Sequence, residues 1–206
     1  VDVKKHFPIV KNYDLDGKPV FFEMPYYKYP SFRKALLSGE LKNGEALSIL
    51  KNISDFMFDS VFTKRRRKAP DNYIKTIHLN RIWKRLEIAK QRAEIFKDIF
   101  EADTVIINGI EIENIYELLN YIEEKSGLLE SLNPPKLCMV HGDLHFDNVI
   151  VDIKSQDFIL LDPRGLDNYW FTYDLGKIWH SFYGFYDFLH QGMFDLDMKV
   201  KDGAVK

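Results

Sequence analysis

One stretch constrains this chain more than any other: Val140-His141-Gly142-Asp143-Leu144-His145-Phe146-Asp147-Asn148-Val149-Ile150-Val151, followed by the acidic turn Leu160-Leu161-Asp162-Pro163-Arg164-Gly165. Leu137 to Val140 is a short apolar run that suits a buried strand ending at a loop. Val149-Ile150-Val151 and Phe158-Ile159-Leu160-Leu161 are β-rich runs on either side of the polar turn Lys154-Ser155-Gln156-Asp157, so they predict a hairpin. A hairpin there carries Asn148, at its start, next to Asp162, at its end. An amide oxygen and a carboxylate then stand side by side, both hard ligands that suit magnesium. The plainer reading of Asp143 and Asn148 is loop capping, since Asp and Asn commonly bond nearby backbone.

The five-residue step from Asp143 to Asn148 is also that of the kinase loop H-R-D-x-x-x-x-N, and Asp162 stands where kinases carry the Asp of D-F-G. More closely, His141-Gly142-Asp143-Leu144-His145-x-x-Asn148 resembles the H-G-D-x-H-x-x-N of the aminoglycoside phosphotransferase and choline kinase superfamily, whose fold is related to that of protein kinases. The resemblance implies that Asp143 is the catalytic base, and that Asn148 and Asp162 hold Mg2+ on ATP or GTP. It gives His145 a contact with the phosphate or the acceptor, and His141 a bracing role in the loop. Tyr173-Asp174-Leu175-Gly176-Lys177-Ile178-Trp179-His180-Ser181 resembles the family's next helix, whose Asp bonds the loop backbone; that makes Asp174 a support. Asp162-Pro163-Arg164-Gly165 followed by this helix is similar to a bacterial branch linked to capsule or surface-polysaccharide synthesis.

Upstream, Phe7 to Tyr13 and Pro19 to Met24 are strand-like runs around the turn signal Asp14-Leu15-Asp16-Gly17. Glu23-Met24-Pro25-Tyr26-Tyr27 looks like the family's hinge. Glu23, Met24 and Tyr26 are therefore the expected nucleotide contacts, through backbone groups that meet the adenine. On this resemblance, residues 1–27 are the end of a small lobe and 28–206 a kinase-like large lobe. The fold class is α+β, mainly helical, with catalytic β-hairpins and a remnant of the small lobe. A nucleotide-covering loop and a phosphate-pairing Lys find no place before the hinge. The chain is thus expected to be truncated at both ends and, alone, to bind nucleotide poorly and catalyse weakly.

The acceptor must reach Asp143 from the side away from the nucleotide, which nominates the segment just after Asp162: Arg164, Asp167, Tyr169 and Trp170. An Arg and an Asp suit hydroxyl-rich or phosphorylated acceptors, and aromatic faces suit sugar rings. A sugar or capsule precursor ranks ahead of choline or an aminoglycoside. The aromatics Tyr169, Trp170, Phe171, Trp179, Phe182, Tyr183, Phe185 and Tyr186 could cage a quaternary ammonium; helix-core packing is the better expectation for most of them. His141, Asp143 and His145 could also suggest a transition-metal hydrolase, but the further His and Asp clusters of a dinuclear site are missing from the sequence. A non-catalytic nucleotide-binding or interaction module with the same fold is the alternative from a different class.

Composition narrows the partners. Of 206 residues, 46% are hydrophobic and 29% charged, enough to bury a core. A net charge of −2 offers no general attraction for nucleic acid. The basic run Lys64 to Lys68 reads as a solvated loop. The single Cys138, in the apolar run before the loop, reads as a buried, inert thiol and fits a reducing, cytoplasmic setting. No stretch approaches the length of a membrane span. Elsewhere, helices are predicted over 43–62, 71–100 with Asp71 as cap, 115–125 and 173–189 with a bend at Gly184. A hairpin is predicted around Asn108-Gly109.

Overall fold

The computed structural model describes residues 3–166, 168–201, 204 and 205. It is a mixed α/β structure with small sheets, and it forms two compact units. One comprises residues 1–67 and 136–194, the other 68–135 and 195–206. The expected boundary at residue 27 falls inside the first unit. Chain near the N-terminus packs into that unit's core, where His6 stacks on Phe158 at 4.1 Å and its Nδ1–H donates to the Phe158 carbonyl at 3.0 Å.

The first unit is built to hold the loop. Its central hairpin pairs Val149–Asp152 with Asp157–Leu160, antiparallel, in the register Val149 to Leu160 and Val151 to Phe158. Those four residues are buried, whereas the alternate Ile150 and Ile159 are only half-buried. The period of two is thus satisfied on a single face. Helix Asn43–Phe56 covers that face with Ile49, Ile53 and Phe56. Its Ser48 and Asn52 grip the hairpin turn through Gln156. Replacing Ile49, fully buried in this seam, by Ala would cost about 2–5 kcal/mol. Leu47 of this helix is 65% exposed, and Ala46 and Ile49 take the inward positions. Helix Phe32–Leu37 begins at Ser31, whose Oγ accepts the Lys34 N–H, and Phe32 packs on Phe146 of the loop.

The predicted N-terminal hairpin is present but short, Asn12–Asp14 with Phe21–Glu23, and all six residues are exposed. Asp14 Oδ1 accepts the N–H groups of Asp16 and Gly17 and so makes the turn. The run Lys64 to Lys68 is exposed, as expected of a solvated loop.

The second unit corrects one prediction. The helix expected over 71–100 is broken: a wide turn Ile74–Leu79 leads into Asn80–Arg92, Ala93 is extended (φ −154°, ψ 133°), and Glu94–Glu101 follows. An uninterrupted helix would hold residues 90 and 101 about 16 Å apart. Instead Lys90 Nζ lies 3.2 Å from Glu101 Oε1, so the chain has bent back. Asp71 does not cap this segment; the Asn133 carboxamide accepts the Ile74 N–H at 2.9 Å. The Asn108-Gly109 hairpin forms as predicted between Thr104–Ile107 and Ile110–Ile112, with φ of 52° and 80° at its two turn residues. Asn114 then caps the start of helix Ile115–Glu124 through Tyr116 N–H. No helix among the described residues is long and apolar enough to cross a membrane.

Candidate active site

The loop 141–148 is fastened to the turn after the hairpin at two points. Leu161 N–H donates to the Asn148 carbonyl at 2.8 Å, and Arg164 N–H to the His141 carbonyl at 2.7 Å. Asp162 lies between these anchors, exposed, with φ at 51°, a backbone shape that Asp tolerates better than most residues. Gly142 explains why the two segments can approach so closely. Its φ is 87°, and a Cβ there would meet Arg164 Cβ at 3.0 Å and Leu166 Cδ1 at 3.2 Å.

Helix Thr172–Phe182 grips the loop from another side. Asp174 is fully buried; its two oxygens accept His141 N–H at 2.7 Å and Gly142 N–H at 2.9 Å. Lys177 reaches the Asp143 carboxylate at 2.9 Å. Ser181, buried, accepts the Phe146 N–H at 3.2 Å. Steps of three and four residues put all three on one helical face. Sequence reasoning found Asp174 and missed Lys177 and Ser181. The spacing was the available signal, but a polar stripe reads equally well as a solvated face.

Asp143 is therefore held between two cations. Lys177 occupies Oδ1, and the Arg164 guanidinium bonds Oδ2 at 2.8 Å. Burial pushes against ionisation of Asp143, but the Lys177 hydrogen bond and the Lys177 and Arg164 charges prevail and hold its pKa below the ordinary carboxylate value. Asp174 is pushed up to about 6, chiefly by burial, with its two backbone donors pulling the other way. Burial also drives His141 down to about 4, so this ring is neutral at pH 7. Its Nδ1 accepts the Asp143 N–H at 3.2 Å, and its Nε2 has no hydrogen-bond partner among the described residues. His145 caps the short turn Phe146–Asn148 by accepting the Asp147 N–H on Nδ1, which leaves the proton of a neutral ring on Nε2.

The donor set suits magnesium. The Asn148 amide donates through Nδ2 to the Asp143 carbonyl at 2.9 Å, so its Oδ1 is the atom left to act as a ligand. Asp162 adds a carboxylate. No group of three or more His, Cys, Asp or Glu side chains among the described residues could enclose a metal. One amide and one carboxylate, completed by phosphate oxygens and water, is the sparse coordination Mg2+ favours.

The remaining expected residues are distributed as follows. Arg164 stands on Asp143. Tyr169 and Trp170 are half-buried and pack on the core, because Leu166 and Tyr169 are tied to the run before the loop by bonds from Val140 N–H to the Leu166 carbonyl and from Cys138 N–H to the Tyr169 carbonyl. Asp167 lies outside the described residues. In the hinge segment the Glu23 carbonyl already accepts the Lys11 N–H at 2.8 Å, and the Met24 and Tyr26 side chains are 43% and 88% exposed. Cys138 is fully buried, and burial foremost pushes its thiol up to about 11.

Residues 111–192 match the model of the phosphotransferase enzyme family, APH. The match contains the loop, the hairpin, the acidic turn and the helix that grips them. The likeness to the aminoglycoside phosphotransferase superfamily, drawn above from those residues, is borne out by it. Neither the curated proteins nor the solved structures gave a match.

Proposed function

We propose that the chain carries the catalytic half of an ATP-dependent kinase that moves the γ-phosphate to a hydroxyl of a small molecule, with a sugar or related precursor as the first acceptor class. The observation that carries this reading is the Asp143 carboxylate, fixed between Lys177 and Arg164 in a loop that the turn around Asp162 and the buried Asp174 anchor. Catalysis of phosphoryl transfer consists almost wholly of positioning and charge stabilisation. Asp143 orients the acceptor hydroxyl through a lone pair that Lys177 and Arg164 leave free, and takes its proton late, as its lowered pKa requires. Asn148 Oδ1 and Asp162 hold Mg2+, which neutralises charge on the phosphates. His145 Nε2–H or Arg164 offsets charge on the transferring phosphoryl group. Asp174 keeps the loop backbone in place without entering the chemistry.

The test is transfer of labelled γ-phosphate from ATP to a panel of sugars, choline and aminoglycosides, with wild type beside D162N and N148A. Magnesium-dependent label in one acceptor class, lost in both variants, supports the reading. Nucleotide binding without transfer to any hydroxyl would favour the non-catalytic module.

A further inference from the structure

The character of the acceptor can be narrowed, on the reading that Asp143 receives a hydroxyl. Around this carboxylate, hydrogen-bond donors outnumber acceptors. Lys177 Nζ has three donors and uses one on Asp143, at 2.9 Å. Arg164 uses one arm of its fork at 2.8 Å, and its side chain is 52% exposed. His145 presents an Nε2–H, since its Nδ1 is an acceptor. Its ring lies 5.9 Å from that of Tyr186, which in turn is 4.1 Å from His180. His180 is exposed, sits three residues after Lys177 on the same helix and lies within electrostatic reach of both Lys177 and His145.

Three carboxylates of this neighbourhood are already engaged by protein groups. Asp143 answers two cations, and Asp174 is buried on two backbone donors. Asp147 pairs with Arg33 at 2.9 Å and takes the Ser31 hydroxyl at 3.1 Å. Asp187, close enough to act on His180, has no hydrogen-bond partner on Oδ2 among the described residues, but it is only 3% exposed and so out of reach of a ligand at the surface. Asp162 is exposed and assigned to the metal. Of these carboxylates, Asp187 keeps an open oxygen but is closed off from the surface, and the exposed Asp162 is assigned to the metal, so none stands free at the surface to receive the ammonium of choline or of an aminoglycoside. A surplus of cationic and neutral donors remains.

We infer that the ground beside Asp143, rimmed by Arg164, Lys177, His145, His180 and Tyr186, is a subsite for an anionic acceptor: a hydroxyl compound that carries its own carboxylate or phosphate. The anion bonds the spare donors of Lys177 and Arg164 while both stay on Asp143. Binding the anion also sets the distance between the acceptor hydroxyl and Asp143, so the charge selects the substrate and aims it.

The experiment is calorimetric or ligand-observed NMR binding of glucose, glucuronate, glucose 6-phosphate, choline and an aminoglycoside, with Mg2+ and a non-hydrolysable ATP analogue saturating so that all three nucleotide phosphate sites are filled. The expected result is that both anions bind at least tenfold tighter than glucose, and choline no tighter than glucose. The glucuronate and phosphate arms identify which anion is preferred. K177M should lose at least tenfold for the anions, with K177R restoring most of it. H180A, which leaves Asp143 and its partners untouched, should lose a smaller factor, and thermal unfolding of each variant reports whether it is folded. Tighter binding of choline or the aminoglycoside than of either anion overturns the inference, as does anion affinity unchanged in folded K177M and H180A. Label transfer from ATP is scored separately. Transfer to choline alone sinks the anionic subsite and leaves the kinase reading standing; selective anion binding with no transfer does the reverse.

Discussion

The loop 141–148 and the hairpin Asn12–Glu23 belong to the same unit and are held in opposite ways. The loop is bonded from the acidic turn, from helix Thr172–Phe182 and from Ser31 and Arg33, and Val140 to Leu144 and Phe146 are buried. The hairpin has its own ladder and turn, yet Tyr13 and Phe22 remain 65% and 64% exposed. An isolated two-stranded hairpin is marginally stable in water. The contrast shows where this sequence places its order: in the loop that holds Asp143, not in the segment expected to meet the base of the nucleotide.

The comparison can be broken at its strongest point. Asp174→Ala removes the acceptor of two buried N–H groups and should cost about 2–4 kcal/mol; a denaturation midpoint equal to wild type would show that the loop does not depend on it. The next effect concerns pH. Relative to an unfolded chain, His141 has its pKa lowered, so its folded form binds fewer protons and stability rises with pH between about 4 and 6.5. Asp174 has its pKa raised, so its folded form binds more protons and stability falls as pH rises from about 4 to 6. The two trends nearly offset one another in the wild type. D174N removes the falling one, and its stability should climb by about 3 kcal/mol across that window; a flat profile in urea titrations of D174N would contradict this.

Activity sharpens the contrast further. D143N should bind nucleotide almost as wild type while turnover falls about a hundredfold or more; unchanged turnover removes Asp143 from the mechanism. Ser181→Ala, which leaves the buried Phe146 N–H unanswered, should cost about 1–3 kcal/mol and speed hydrogen exchange at that amide. The hairpin should be the least sensitive. Phe22→Ser should change stability by less than about 0.5 kcal/mol, and a larger loss in a thermal melt would mean that this strand is packed after all.

The site was legible in sequence because each of its parts is local. His141 to Asn148 is one loop, Asp162 closes one hairpin, and period-two runs flank a polar turn between them. Lys177 and Ser181 were not legible as site residues, since a polar side chain on a helix looks the same whether it faces water or a loop. The aromatics after Asp174 misled in the other direction. They were expected to fill a helix core, yet Trp179, Phe182, Tyr183 and Phe185 are 58–67% exposed. Hydrophobicity states a preference for burial but does not provide the surface to be buried against. The break at Ala93 was hidden for a related reason. Alanine is the best helix former, and no local signal opposes a tertiary arrangement that turns the chain there.

The stripe of Asp174, Lys177 and Ser181 acts as a measuring stick laid along the loop. A helix advances 1.5 Å and turns 100° per residue, so the three groups keep their targets only while their count is preserved. Swapping one side chain silences one contact. Deleting or inserting a single residue between Asp174 and Ser181 swings whatever lies beyond it by more than a quarter turn, and Lys177 or Ser181 loses its target together with everything downstream. Tolerance in this helix is therefore a matter of phase more than of composition: its outward positions can vary freely, but its length cannot.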